Sequence, residues 1–122
     1  HVESAQYNWD AVKEGMHLVV NALSNATVYE TFSTCKFTRI RNGANYGVNG
    51  KTGTAQKGEG ITNDGMFICY APADDPEIAV SVVVERGGSG ANVSFIARNI
   101  LDAYYTIRSY SDDAEQEMSL LK

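Results

Sequence analysis

The chain has 122 residues, 43% of them hydrophobic and 20% charged, and its ten basic and fifteen acidic residues give a net charge of −5. That is globular composition at the size of one domain or a piece of one, enough to bury roughly two thirds of the unfolded surface. It carries no electrostatic footprint for nucleic acid or for an anionic membrane surface.

The longest apolar run, Ile78 to Val84, is far too short to span a bilayer, and no signal peptide is visible, so the chain reads as soluble. Cys35 and Cys69 lie too far apart for a metal knuckle or a CxxC pair and are too few for a disulfide scaffold. Neither a metal nor a cofactor is expected. The first residue is His1 rather than Met, which leaves room for an upstream portion.

In chain order, Asn8 can cap a helix over Trp9 to Ser24, whose apolar residues Trp9, Val12, Met16, Val19, Val20 and Leu23 recur every three or four positions. From Asn25 to Val48 no period persists, and the segment reads as loop with a short strand at Lys36 to Arg41. Gly50 to Lys57 and Met66 to Ala71 read as antiparallel strands joined through Gly58, Gly60 and Asn63-Asp64-Gly65. After the turn "PADDP", the run "EIAVSVVVE" is a third strand, apolar almost throughout and therefore expected to be covered on both faces. Asn92 can cap a second helix with Val93, Ile96, Ala97, Ile100, Leu101 and Tyr104 on one face, and the polar residues from Ser109 onward read as a mobile end. The expected architecture is α+β, three antiparallel strands flanked by helices. The "IAVSVVV" edge has no proline or lysine to blunt pairing, so strands from residues outside this chain are expected to complete the sheet.

The stretch "GKTGTAQ" is the candidate site. An edge strand presents its N–H groups sideways, and Gly53 lets an extended ligand approach without meeting a Cβ. Lys51 adds positive charge, and the Thr52 and Thr54 hydroxyls can donate to a carboxylate. An N–H aimed at a developing oxyanion stabilises a transition state by about 3–4 kcal/mol, so the chemistry suggested is acyl transfer. Alone, Lys-(Ser/Thr)-Gly arises by chance in roughly one chain in twenty of this length, so its context decides. The triplet opens a strand, a hairpin and an apolar strand follow, and a helix closes the segment.

Other constellations carry less. His17, near Glu14 on the first helix, reads as a solvated surface residue. Gly88-x-Gly90 lacks the rest of a dinucleotide fingerprint and reads as a tight strand-to-helix turn. Lys36, Arg39 and Arg41 around Phe37 form a solvated face, and Asn25-Ala-Thr27 and Asn92-Val-Ser94 fit glycosylation sequons. Ser33-Thr-Cys-Lys36 fits S-x-x-K by letters, but lies in aperiodic loop close before Lys51.

With "NWDAVKEGMHLVVN", "GKTGTAQ" and "DGMFICYAPADDPEIAVSVVVERGGSG", the chain resembles the C-terminal part of the transpeptidase domain of class B penicillin-binding proteins, whose signature includes S-x-x-K, S-x-N and K-(T/S)-G. "ERGGSG" followed by "ARNILDAYY" is most similar to the elongation, or cell-shape, branch. The likeness runs from about Trp9 to Tyr105. Residues 1–108 would be the incomplete transpeptidase portion and 109–122 the polar tail.

The resemblance implies a peptidoglycan D,D-transpeptidase acting through a serine acyl-enzyme. Lys51 would sit in the active-site electrostatic network, and Thr52 and Thr54 would bind the substrate carboxylate. The Thr54 N–H would form half the oxyanion hole, Gly53 would let the peptide lie along the strand, and Gln56 would stand at the rim. Lys51 and Thr54 are thus the catalytic candidates. The nucleophile and the S-x-N motif are absent from the sequence and are expected upstream, so the chain alone is expected to be inactive. Cys69 replaces the family's usual glycine in the F-x-G-Y-A-P strand.

Implied partners are peptidoglycan stem peptides, β-lactam antibiotics, the missing N-terminal part of the same protein and a glycan polymerase; nucleic acid is not among them. The implied location is the bacterial cell membrane, catalytic domain outside the cytoplasm, with the anchor elsewhere in the protein. A serine β-lactamase, a β-lactam sensor or a D,D-carboxypeptidase would share the KTG strand. A non-catalytic interaction module could retain it without chemistry.

Overall fold

The computed structural model describes residues 3–33 and 47–122. Helix α1 (Gln6–Asn21) leads through a 3-10 turn (Leu23–Asn25) into helix α2 (Ala26–Ser33). Strands β1 (Asn49–Ala55), β2 (Asp64–Ala71) and β3 (Ile78–Val84) follow, and helix α3 (Gly90–Leu120) ends the chain. Both neighbouring strand pairs are antiparallel, in the order β1-β2-β3, so β1 and β3 are the two edges among the described residues.

The three strands fall within two residues of their predicted limits, because period-two alternation and Gly/Asn/Asp turns are local signals. On β2, Gly65, Phe67, Cys69 and Ala71 are buried in alternation, and on β3 Val80 and Val82 are. Helix α3 lies across this face, applying Val93, Ala97, Leu101 and Tyr105 at three- and four-residue spacing. Phe67, fully buried at the centre, stacks on Phe32 of α2 with ring centroids 5.6 Å apart. Burying a side chain of that size stabilises the fold by about 1.5–3 kcal/mol.

Several expectations are corrected. Asn8 does not cap α1; Ala5 stands at the N-cap without a side-chain bond, and the Asn8 amide donates to Ser4 Oγ at 2.8 Å inside an earlier-starting helix. Part of the predicted 25–48 loop is α2. Its eight residues give too short a run for a period to show, and Thr27, Val28 and Thr31 are poor helix formers; burial of Val28 and Phe32 on one side decides the conformation. Ser33 is the last residue of α2 rather than a loop residue, whereas Lys36, the predicted 36–41 strand and Cys35 lie outside the described residues.

Among the described residues, strand β3 is covered on one face only. Its Val83 is 66% exposed, beside an open Ile68 on β2, because α2 and α3 pack on the opposite side of the sheet. Helix α1 shows the same openness: of its apolar stripe only Val20 is buried, while Trp9 and Val12 are exposed.

Helix α3 starts two residues before the expected cap. Ser89 is the N-cap, its Oγ accepting the Asn92 N–H at 3.3 Å. Ser89→Ala is expected to cost about 1 kcal/mol in a denaturation experiment, since nothing else on that side chain can satisfy the donor. At its other end the helix runs through the segment read as a polar tail, as far as Leu120. There it has no covered face and hence no apolar period to read, but Arg108 pairs with Glu77 ahead of β3.

Candidate active site

The site is built on β1. Its ladder to β2 pairs Lys51 with Ile68, Thr52 with Phe67, Gly53 with Met66 and Thr54 with Gly65, and its other side pairs with no described strand. Alternation places Thr52 and Thr54 on the face toward α3, and Lys51 and Gly53 on the opposite face. Because β1 is an edge, side chains of both faces border the space beside it. Lys51 and Thr54 are exposed and Thr52 and Gly53 half-buried; the Lys51 ammonium donates to its neighbour's carbonyl, Thr52 O, at 2.8 Å. Gln56, also exposed, lies one residue beyond the strand. The KTGT ribbon is therefore presented rather than covered.

The backbone of that ribbon is supported from beneath by Gly90, the first residue of α3. A Cβ there would stand 2.6 Å from Gly53 N, 2.8 Å from Gly53 O and 2.1 Å from Met66 O, so the helix start rests directly on the strand. The tight-turn reading of Gly88-x-Gly90 holds for Gly88, with φ +81°, while Gly90 serves close packing.

At the start of β1, Asn49 is buried and joins three elements. Its amide donates to the Tyr70 hydroxyl at 2.8 Å, and its Oδ1 lies 3.1 Å from His17 Nδ1, so the imidazole donates to it. His17 is exposed as expected, yet not simply solvated: it ties α1 to the strand. Asn21 strengthens the same joint, its amide donating to Val48 O at 3.2 Å.

At the far end, Asp64 accepts the Arg86 N–H at 2.8 Å and pairs with Lys57 at 2.9 Å. The Arg86 amide and then the Lys57 ammonium hold the Asp64 carboxyl below the usual carboxylate range, and the bond to Asp64 raises Lys57. Sequence reasoning found the ribbon but none of these supports. Asn49 and Asp64 are ordinary strand-end residues by letter, and the glycine cluster before α3 reads as a turn, which leaves the close approach of Gly90 unforeseen.

Fold and site together define a class: an α+β unit with an open sheet edge that carries a cation, hydroxyls and backbone N–H groups. The model of the penicillin binding protein transpeptidase domain matches residues 3–102. The chain belongs to that family. It is 36% identical over 115 residues to the peptidoglycan D,D-transpeptidase MrdA of Haemophilus influenzae, covering 82% of this chain and 16% of that protein. Penicillin-binding protein 2B of Streptococcus pneumoniae is 35% identical over 97 residues, with 75% and 13% covered.

Among solved structures, that of Pseudomonas aeruginosa PBP2 in complex with WCK 5153 superposes with a TM-score of 0.66 at 31% identity, over 85% of this chain and 21% of that one. Helicobacter pylori PBP2, solved in complex with MreC, shares the fold with a TM-score of 0.67 at 22% identity, over 83% and 17%. The chain thus spans about one sixth of the length of the curated relatives it matches.

Proposed function

We propose that this chain is the part of a peptidoglycan D,D-transpeptidase that binds the donor peptide along β1 and stabilises the oxyanion of its acyl transfer. The observation that carries the reading is the open Lys51-Thr52-Gly53-Thr54 edge in a chain of this family. In this reading Lys51 attracts the terminal carboxylate, Thr52 and Thr54 hydrogen-bond it, and Gln56 borders the entry. The Thr54 N–H, prefixed on a supported strand, donates to the carbonyl oxygen as it gains charge, without reorganisation at the moment of reaction.

A serine outside this chain attacks the carbonyl carbon of the penultimate D-alanine. The peptide bond breaks, the terminal D-alanine leaves with a proton, and an amine on a neighbouring strand then displaces the serine oxygen. A penicillin acylates the same serine when its β-lactam amide bond opens. The likeness to MrdA supports a role in the elongation branch, where a glycan polymerase would be its partner. The catalytic domain would stand outside the cytoplasmic membrane. No helix among the described residues is long and apolar enough to cross it, so an anchor would belong to another part of the protein.

The test uses intact mass after incubation with a penicillin. The whole protein is expected to gain one covalent penicillin and the isolated 122-residue chain none. A whole protein that stays unmodified would remove the acyl-transfer reading, and an adduct on the isolated chain would place the nucleophile within it.

A further inference from the structure

The loop between β1 and β2 has to be fastened where the strand ends, because Thr54 is only one ladder pair from the last, Ala55 with Asp64. Terminal pairs of an edge strand open most readily, and fraying here would displace the Thr54 N–H directly. The loop beyond is exposed and runs through Gly58 and Gly60 at φ +128° and +76°, so it supplies no stiffness of its own.

Three contacts close this end. Asp64 Oδ2 meets Lys57 Nζ at 2.9 Å, Asp64 Oδ1 accepts the Arg86 N–H at 2.8 Å, and Gly88 N–H donates to Asn63 O at 2.9 Å. Lys57 also stands 3.8 Å from Glu85. Arg86 is held at φ +56°, a left-handed conformation a non-glycine residue adopts at a cost, and the carboxylate of Asp64 receives the amide so turned. One side chain thereby joins the exit of β1, the entry of β2 and the turn from β3 into α3. That turn leads within four residues to Gly90, whose packing supports Gly53 from below.

We propose that Asp64 is a positioning residue for the acyl-transfer edge: by bonding Lys57 and the Arg86 amide at once, it holds the last turn of the ladder so that the Thr54 N–H stays aimed at the reacting carbonyl. The inference rests on the reading of β1 as that edge. Asp64 itself touches no substrate; it acts through Lys57 and the strand.

The test measures acylation of the intact protein by a fluorescent penicillin under stopped flow, resolving the limiting rate from the half-saturating concentration. Asp64→Asn retains an acceptor for Arg86 and loses the ion pair; Lys57→Met retains the stem and loses the same pair from the other side. Each is expected to lower the limiting rate about tenfold with little change in half-saturation. The double variant is expected to be no slower than either single one.

The direction separates a clamp from a general field effect. Removing a negative and a positive charge would move binding of an anionic penicillin in opposite directions if only the field mattered. A clamp slows both. Unchanged limiting rates, opposite shifts or additive losses would overturn the proposal. Wild-type protein that is not acylated would instead overturn the edge reading, and this inference with it. Melting temperatures verify folding, and should Asp64→Asn fail to fold, the half-exposed Lys57→Met carries the same comparison.

Discussion

Lys51→Ala in the intact protein is expected to slow penicillin acylation by about two to three orders of magnitude while leaving the melting temperature within about one degree of wild type. The two halves of this expectation come from different places. On the proposed reading, the rate loss follows from removing a charge at the edge that would bind the carboxylate, an interaction of about 3–4 kcal/mol when water is excluded. The unchanged stability follows from position: Lys51 is exposed, on the face of β1 that α3 does not cover, and among the described residues its ammonium bonds only to its neighbour's carbonyl. Exposed positions of this kind seldom change stability by more than about 0.5 kcal/mol. Stopped-flow acylation alongside differential scanning fluorimetry checks both. A variant acylated at the wild-type rate would remove Lys51 from the site, and one that melts early would mean that the lysine supports the fold instead.

What could be read in advance followed the range of the interaction. The strands were legible because alternation and turn chemistry act over a few residues, and the KTGT ribbon because four consecutive residues carry it. α2 was not, since its conformation depends on Phe32 reaching Phe67 thirty-five positions away. The cap of α3 was misplaced because Gly-Gly-Ser-Gly has no helical preference; Gly90 is admitted to the helix by packing, against its own propensity. The apolar character of β3 predicts burial on both faces, whereas the described residues supply a layer for one of them. The open faces of β3 and α1 agree with a chain that spans about one sixth of its relatives. The supports of the site escaped for the same reason as α2. Asp64 sat within Asn-Asp-Gly, a sufficient turn signal by itself, and its bond to Arg86 crosses twenty-two residues.

The contact least visible in sequence leads to the largest stability effect. Gly90→Ala is expected to destabilise the domain by about 3 kcal/mol, at the upper end of ordinary overpacking, because the obstruction is backbone. The added carbon would meet Met66 O, Gly53 N and Gly53 O, all at less than 3 Å, and none of these can rotate away as a side-chain tip would. Relief requires α3 to lift from the sheet, which opens Val93 and Ala97 against the covered face, or β1 to slide outward on its ladder. The two routes leave different traces. If the helix lifts, the melting temperature falls by several degrees and the surviving folded protein is acylated at the wild-type rate. If the strand yields, stability falls less, but Gly53 and Thr54 leave register and the limiting acylation rate drops with it. Thermal melting paired with single-turnover acylation distinguishes them. Wild-type values in both would show that the first turn of α3 does not bear on the KTGT strand. The Gly88 position separates space from backbone conformation: at φ +81° its alanine variant is strained whatever room surrounds it, so its cost is expected even where the Gly53 contact is untouched.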